Sequence, residues 1–169
     1  MSDCIETERL VLRPFTVADA GAVVDGLGDI RVSRWLSKVP HPFTHEDLRL
    51  FEPDGRARWP EIMAITRDGD AILGCVGASP ELGYWLAPQH WGWGIMTEAA
   101  RAALAEFFLD PERTEIRSGV FEGNPTSQKV LRKLGFEETT RDEKYCRAQD
   151  RTFPHINCVL TRERWEAAV

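Results

Sequence analysis

Residues 81–100 read Glu-Leu-Gly-Tyr-Trp-Leu-Ala-Pro-Gln-His-Trp-Gly-Trp-Gly-Ile-Met-Thr-Glu-Ala-Ala: an apolar strand-like run, a proline turn, a loop with two glycines and an alanine-rich helix start. Gly92 and Gly94 let the backbone come close to a ligand, and the helix after them aims unpaired N–H groups and a positive dipole end at the same place. A strand, a glycine loop and a helix N-terminus in that order form an anion cradle, and phosphate is the anion that suits it.

On the C-terminal side of the loop, Met96, Ala99, Ala103 and Phe107 recur at helical spacing with Ala100, Leu104 and Phe108 beside them, so this helix is amphipathic and packs on a sheet. Asp110-Pro111 ends it. Glu115 to Phe121 then alternates Ile116, Ser118 and Val120 against Arg117, Gly119 and Phe121, as a strand does. Asn124-Pro125 is an N-cap followed by proline at the first helical position, and Gly135 is the C-terminal glycine of the helix carrying Val130, Leu131 and Leu134. The tail offers a strand near Glu143 to Cys146 and another from His155 to Leu160, after which Thr161 caps a short terminal helix.

Upstream, Ile62 to Thr66 and Ala71 to Ala78 are apolar, β-branched segments joined by Arg67-Asp68-Gly69-Asp70, whose Asp-Gly pair signals a hairpin. Ser79-Pro80 turns the chain into a third strand, Glu81 to Leu86. Arg9 to Phe15 predicts an earlier strand with Leu10 and Leu12 on one face. Thr16 and Asp19 are a capping pair for a helix to about Gly26, and Thr44 with Asp47 starts a second helix through about Phe51. The fold class is α+β: an antiparallel meander running into a β-α-β crossover.

The 169 residues contain no linker-like stretch, repeat or low-complexity segment, so a single domain, 1–169, is expected. Apolar runs fall far short of a membrane span, and the polar, acidic N-terminus lacks the basic and apolar regions of a secretion signal, which points to the cytoplasm. Cys4, Cys75, Cys146 and Cys158 form no C-x-x-C pair, which argues against a metal site and for free thiols. A net charge of −6 disfavours nucleic acid and mildly favours a cationic substrate.

Known nucleotide motifs fail at the loop. There is no G-K-[ST], and aligning Gly92-Trp93-Gly94-Ile95-Met96-Thr97 to the dinucleotide fingerprint replaces the third glycine with Thr97. What remains is Gln89-x-x-Gly92-x-Gly94 at a strand-to-helix junction, followed one crossover later by Asn124-x-x-Ser127. This pattern resembles the GNAT family of acyl-CoA-dependent N-acyltransferases, whose pyrophosphate loop reads Q/R-x-x-G-x-G/A. Thr7-Glu-Arg-Leu-Val-Leu-Arg-Pro, His90-Trp-Gly, Met96-Thr-Glu-Ala, Leu131-x-x-Leu-Gly-Phe136 and Leu160-Thr-x-x-x-Trp165 look most like the branch of ribosomal-protein N-terminal (alanine) acetyltransferases.

The resemblance implies a mixed, mostly antiparallel twisted sheet flanked by helices, with acyl-CoA at splayed central strands. It implies acetyl-CoA as co-substrate, an amine acceptor, no metal, and a monomer or homodimer. Gln89, His90, Trp91, Gly92, Trp93 and Gly94 would wrap the pyrophosphate, with Ile95 and Met96 also in the cofactor site. Trp85, Leu86 and Ala87 would bond the pantetheine arm, and Asn124 and Ser127 would sit at its far end, although a helix cap alone also explains Asn124.

Direct transfer to an amine needs a neutral amine, a stabilised oxyanion and a proton for the departing thiolate. By the same resemblance, the Leu86 N–H is an oxyanion donor and Ser127 the acid, with Tyr145 as its rival. Neutralising an α-amine of pKa near 8 at pH 7 costs roughly 1 kcal/mol, against about 4.6 kcal/mol for a lysine. An α-amine therefore needs only a modest base, and Glu81 is the carboxylate placed to supply it, with an edge carboxylate in solvent as the plain alternative. Trp85 reads as core, while Trp35 and Trp59 are candidates for an acceptor pocket. A catalytically silent acyl-CoA-binding or sensing domain remains the alternative to an enzyme.

Overall fold

In a computed structural model, residues 4–50 and 62–168 are described, which leaves Trp59 and the end of the helix expected at Phe51 outside the described residues. Two short strands open the chain: β1 (Ile5–Glu6) and β2 (Val11–Arg13). The strand expected over residues 9–15 is thus cut to its centre, because Thr7 and Leu10 close a turn between β1 and β2, with Thr7 N–H donating to Leu10 O at 2.9 Å. Leu10 and Leu12 are buried as expected.

The Thr16–Asp19 capping box is present and leads through one 3-10 turn into α1 (Ala20–Gly28). Asp19 also takes a bidentate bond from Arg13, whose Nη1 and Nη2 donate to its carboxylate at 2.8 Å each, and Arg13 reaches on to Gly69 O in the hairpin turn. Burial opposes ionisation of Asp19, but the bonds from Arg13 and Thr16 outweigh it and hold the carboxyl below its ordinary range. Asp19→Ala would strand Arg13, its side chain only 14 % exposed, and is expected to lower unfolding free energy by about 3 kcal/mol in urea. The bridge's contribution is complete above the unfolded carboxylate pKa of about 3.9 and fades as pH falls through the depressed folded value.

A short α2 (Ile30–Ser33), capped by Asp29, was not legible in the sequence. The Thr44 and Asp47 pair caps as expected, but the segment it opens, His45–Leu50, is a 3-10 helix. Three antiparallel strands come next: β3 (Met63–Thr66), β4 (Ile72–Ala78) and β5 (Leu82–Leu86). Gly69 takes φ +91° in the turn of the predicted hairpin.

Beyond the glycine loop the order is α3 (Ile95–Phe107), β6 (Glu115–Phe121), α4 (Pro125–Lys133), β7 (Glu137–Cys146), β8 (Arg151–Thr161) and α5 (Arg162–Ala168). Helix α4 ends in a Schellman motif, with Phe136 N–H donating to Leu131 O and Gly135 N–H to Arg132 O, as its glycine announced. The strand expected over 143–146 is the end of a ten-residue strand.

Among the described residues the strands form two antiparallel sheets, β1-β2-β3-β4-β5 and β6-β8-β7. They meet at one parallel bridge, Glu81 to Arg117, and at a bond from Ser118 Oγ to Leu82 O of 2.9 Å. Past that junction β5 and β6 part, leaving a fork. One core, which includes Leu82, Leu86, Ile116, Val120 and the inner faces of α3 and α4, lies on one side of the sheets. The other face of the meander is covered by α1, α2 and their loop around Trp85. No helix among the described residues is long and apolar enough to cross a membrane.

Candidate functional site

The fork opens a cleft of about 630 Å³ bordered by β5, β6, the glycine loop, α4 and residues 31–37. Its shape comes from backbone commitments. Ser118 Oγ donates to Leu82 O, and Trp91 Nε1 donates to Leu86 O at 2.7 Å. Peptide groups alternate along a strand, so the even-numbered groups of β5 face the open edge and the odd-numbered ones face β4. The expectation for the pantetheine arm therefore narrows to Leu86. Trp85 pairs with Cys75, and Ala87 has its N–H on Leu73 O and its C=O on His90 N–H, both at 2.9 Å.

At the loop, Gly92 and Gly94 take φ +83° and +74°, conformations in which a side chain is strained. Among the described residues no hydrogen bond is made by the amide N–H groups from Gly92 to Thr97. These donors converge at the N-terminus of the thirteen-residue α3, which adds its dipole. The loop is pinned from behind by Arg9, whose Nη1 donates to Trp93 O at 2.9 Å and whose Nε and Nη2 bind Glu98 at 2.7 and 2.6 Å. Thr7 Oγ1 donates to the same carboxylate at 2.6 Å. Burial works against the charged form of Glu98, but these bonds prevail and hold its carboxyl low.

His90, Trp91, Gly92, Gly94, Ile95 and Met96 line the cleft, whereas Gln89, Trp93 and Ala87 do not. Burial and Arg67 lower the His90 pKa, so its ring is neutral near pH 7. Lys129 and Lys133 of α4, not singled out from the sequence, bring positive charge to the same side.

Asn124 caps α4, its Oδ1 accepting from Ser127 N–H at 3.2 Å, and among the described residues its side-chain nitrogen makes no hydrogen bond. Ser127 Oγ stands 2.8 Å from the hydroxyl of Tyr84. Tyr84 went unnoticed in the sequence, although strand alternation places it with Leu82 and Leu86. Burial pushes its phenol up to about 12, against a smaller opposing effect of the Ser127 bond.

Tyr145 is not brought to this place. It is half exposed on β7, its hydroxyl bonded to Asp150, and does not line the cleft. Glu81 is exposed at the junction of the two sheets, on the strand face opposite Tyr84, where Trp35 and His155 also border the cleft. Trp85 is core, 6 % exposed, with its ring seated on Gly26, where a Cβ would overlap it.

Residues 9–137 match the family model described as an acetyltransferase (GNAT) domain. The chain belongs to the GNAT family of acetyltransferases. It is 25 % identical over 151 residues to the uncharacterized N-acetyltransferase YoaA of Bacillus subtilis, covering 82 % of this chain and 85 % of that one. Among solved structures, ribosomal-protein-S5-alanine acetyltransferase from Vibrio fischeri superposes with a TM-score of 0.76 at 23 % identity, covering 97 % of this chain and 99 % of the other. RimJ of Mycobacterium smegmatis, solved with CoA-disulfide, gives 0.72 at 25 % identity over 94 % and 88 %. This GNAT chain is therefore an acyltransferase.

Proposed function

We propose that this enzyme moves the acetyl group of acetyl-CoA onto a primary amine, a protein N-terminal α-amine or a small amine, by direct attack in a ternary complex within a single 169-residue domain. The observation that carries this reading is the run of unpaired amides from Gly92 to Thr97 beside the edge of β5 that faces away from β4. Such donors suit a pyrophosphate, and the adjoining strand edge suits the amides of a pantetheine arm. Leu86 N–H supports the oxyanion, Ser127 returns a proton to the thiolate, and Glu81 draws an ammonium to the opposite mouth of the fork. An α-amine acceptor is supported by the activity for which the Vibrio relative is named and by the low cost of neutralising such an amine.

The test is a thermal shift with acetyl-CoA followed by an acceptor screen that reads released thiol. Saturating acetyl-CoA at about 100 times its Kd should raise Tm by roughly 5–10 °C. Peptides with a free N-terminus should release thiol faster than peptides whose only amine is lysine. Absence of any shift would remove the donor assignment; a shift with no turnover on any amine would leave binding without transfer.

A further inference from the structure

Of the four histidines, only His155 is buried, and no local signal in the chain marks its place. It sits in the middle of β8 between Phe121 of β6 and Asp142 of β7. Its side chain is 5 % exposed, with Nδ1 3.2 Å from Asp142 Oδ1 and the ring edge-on to Phe121 at 5.5 Å. The other edge of the ring lies over Gly119, so near that a Cβ there would overlap both Cε1 and Nε2. Gly119 is two residues from Arg117, the residue bridged to Glu81, so this edge stands at the apex of the fork, and His155 lines the cleft. Among the described residues no hydrogen bond is made to Nε2. With Nδ1–H donating to Asp142, the lone pair falls on Nε2, the nitrogen beside Gly119, which also lines the cleft.

We propose that His155 is the base that takes the acceptor's proton, with Asp142 as the positioning residue that fixes its tautomer. This rests on the acetyl-transfer reading above. His155 Nε2 accepts one proton from the ammonium and later passes it to water. The freed nitrogen lone pair forms the C–N bond to the thioester carbonyl, and collapse of the oxyanion breaks C–S. The second proton shed by nitrogen balances the one that sulfur gains through Ser127, so the net products are the amide, CoA thiol and one proton. The charged groups sharing the hollow with the ring are Glu81 just before β5, Glu115 and Arg117 from β6, and Asp142 and Lys144 from β7. Burial and Lys144 outweigh Asp142 and Glu81 and hold the imidazole below its ordinary value, so it is neutral and ready to accept at pH 7.

The experiment measures kcat and kcat/KM for the amine against pH, acetyl-CoA affinity, and the His155 ring titration by NMR in the unliganded protein. For the parent, kcat/KM for the amine should fall in acid with a midpoint below about 6.5, matching the ring titration of the free enzyme, and kcat should show an acidic limb of its own. His155→Gln should lose about 100-fold or more in kcat together with the acidic limb, while acetyl-CoA affinity stays within about twofold. Asp142→Asn removes a charge that raises the imidazole pKa, so both the limb and the ring titration should move to lower pH. If His155→Gln does not fold, Gly119→Ala displaces the ring without altering it, and should lower kcat about tenfold with acetyl-CoA binding kept. Glu81→Gln should keep the limb, moved only slightly to lower pH, whatever it does to the rate. A parent that binds acetyl-CoA and acetylates amines, with His155→Gln or Gly119→Ala matching it in kcat and limb, would overturn the proposal alone. A limb abolished by Glu81→Gln and kept by His155→Gln would do the same. A parent without turnover on any amine would overturn the acetyl-transfer reading itself.

Discussion

Gly94→Val is expected to raise the acetyl-CoA dissociation constant by about 100-fold while leaving the unliganded fold intact. At φ +74° a β-branched residue is a steric outlier, so the loop must leave the left-handed conformation that directs its amides toward one point. If two charge-assisted bonds are lost at about 1.5 kcal/mol each, the sum is near 3 kcal/mol, or roughly two orders of magnitude in Kd. Among the described residues, chain neighbours aside, only Arg9 Nη2, at 3.6 Å, lies within 4 Å of a Cβ at position 94, so the cost starts from the backbone conformation. Gly94 is exposed, and the apo Tm should fall by no more than about 4 °C. Calorimetric titration with acetyl-CoA, with circular dichroism for the fold, checks both halves. An unchanged Kd would mean that the amides from Gly92 to Thr97 do not hold the donor.

The parts of the molecule that the sequence announced are those specified locally. A cap needs only the residues beside it, so Thr16 with Asp19, Asn124-Pro125 and Gly135-Phe136 could be placed, and the left-handed glycines at 92 and 94 stood where a strand runs into a helix. Strand β7 was mostly missed because Glu137 to Lys144 is polar on both faces of an edge strand, so no apolar alternation marks it. Strand β1 is two residues long, too short for any period.

Contacts made across the sheets were least legible. Arg9 and Glu98 lie 89 positions apart, yet together they tie the loop to α3. The pairing of His155 with Asp142 depends on the register of β7 against β8, which shifts between Glu138 and Arg141. Nothing near either residue fixes that shift, so a single sequence could not place the histidine. Tyr145 illustrates the converse. The resemblance offered Tyr145 as the rival acid, but the direction of β7 turns it to solvent and to Asp150, while Tyr84 occupies the position beside Ser127.

That position carries the second large effect. Ser127→Ala is expected to lower kcat by about 100-fold with acetyl-CoA affinity unchanged, since it removes the hydroxyl assigned to protonate the departing thiolate. Tyr84→Phe should cost about tenfold on the same grounds, because it deprives Ser127 Oγ of its 2.8 Å partner without removing the serine itself. If the two hydroxyls form one proton path, the double variant should be no slower than Ser127→Ala alone, because groups that act as a unit are not additive. With its phenol raised to about 12, Tyr84 stays protonated across the physiological range, so Tyr84→Phe should scale the pH profile of kcat without moving its acidic limb. Burial of the Tyr84 ring beside the main core makes Phe a volume-conserving replacement, so lost rate cannot be ascribed to lost packing. Independent, multiplicative losses would separate the two hydroxyls, and a Ser127→Ala enzyme as fast as the parent would take the acid role away from α4 altogether.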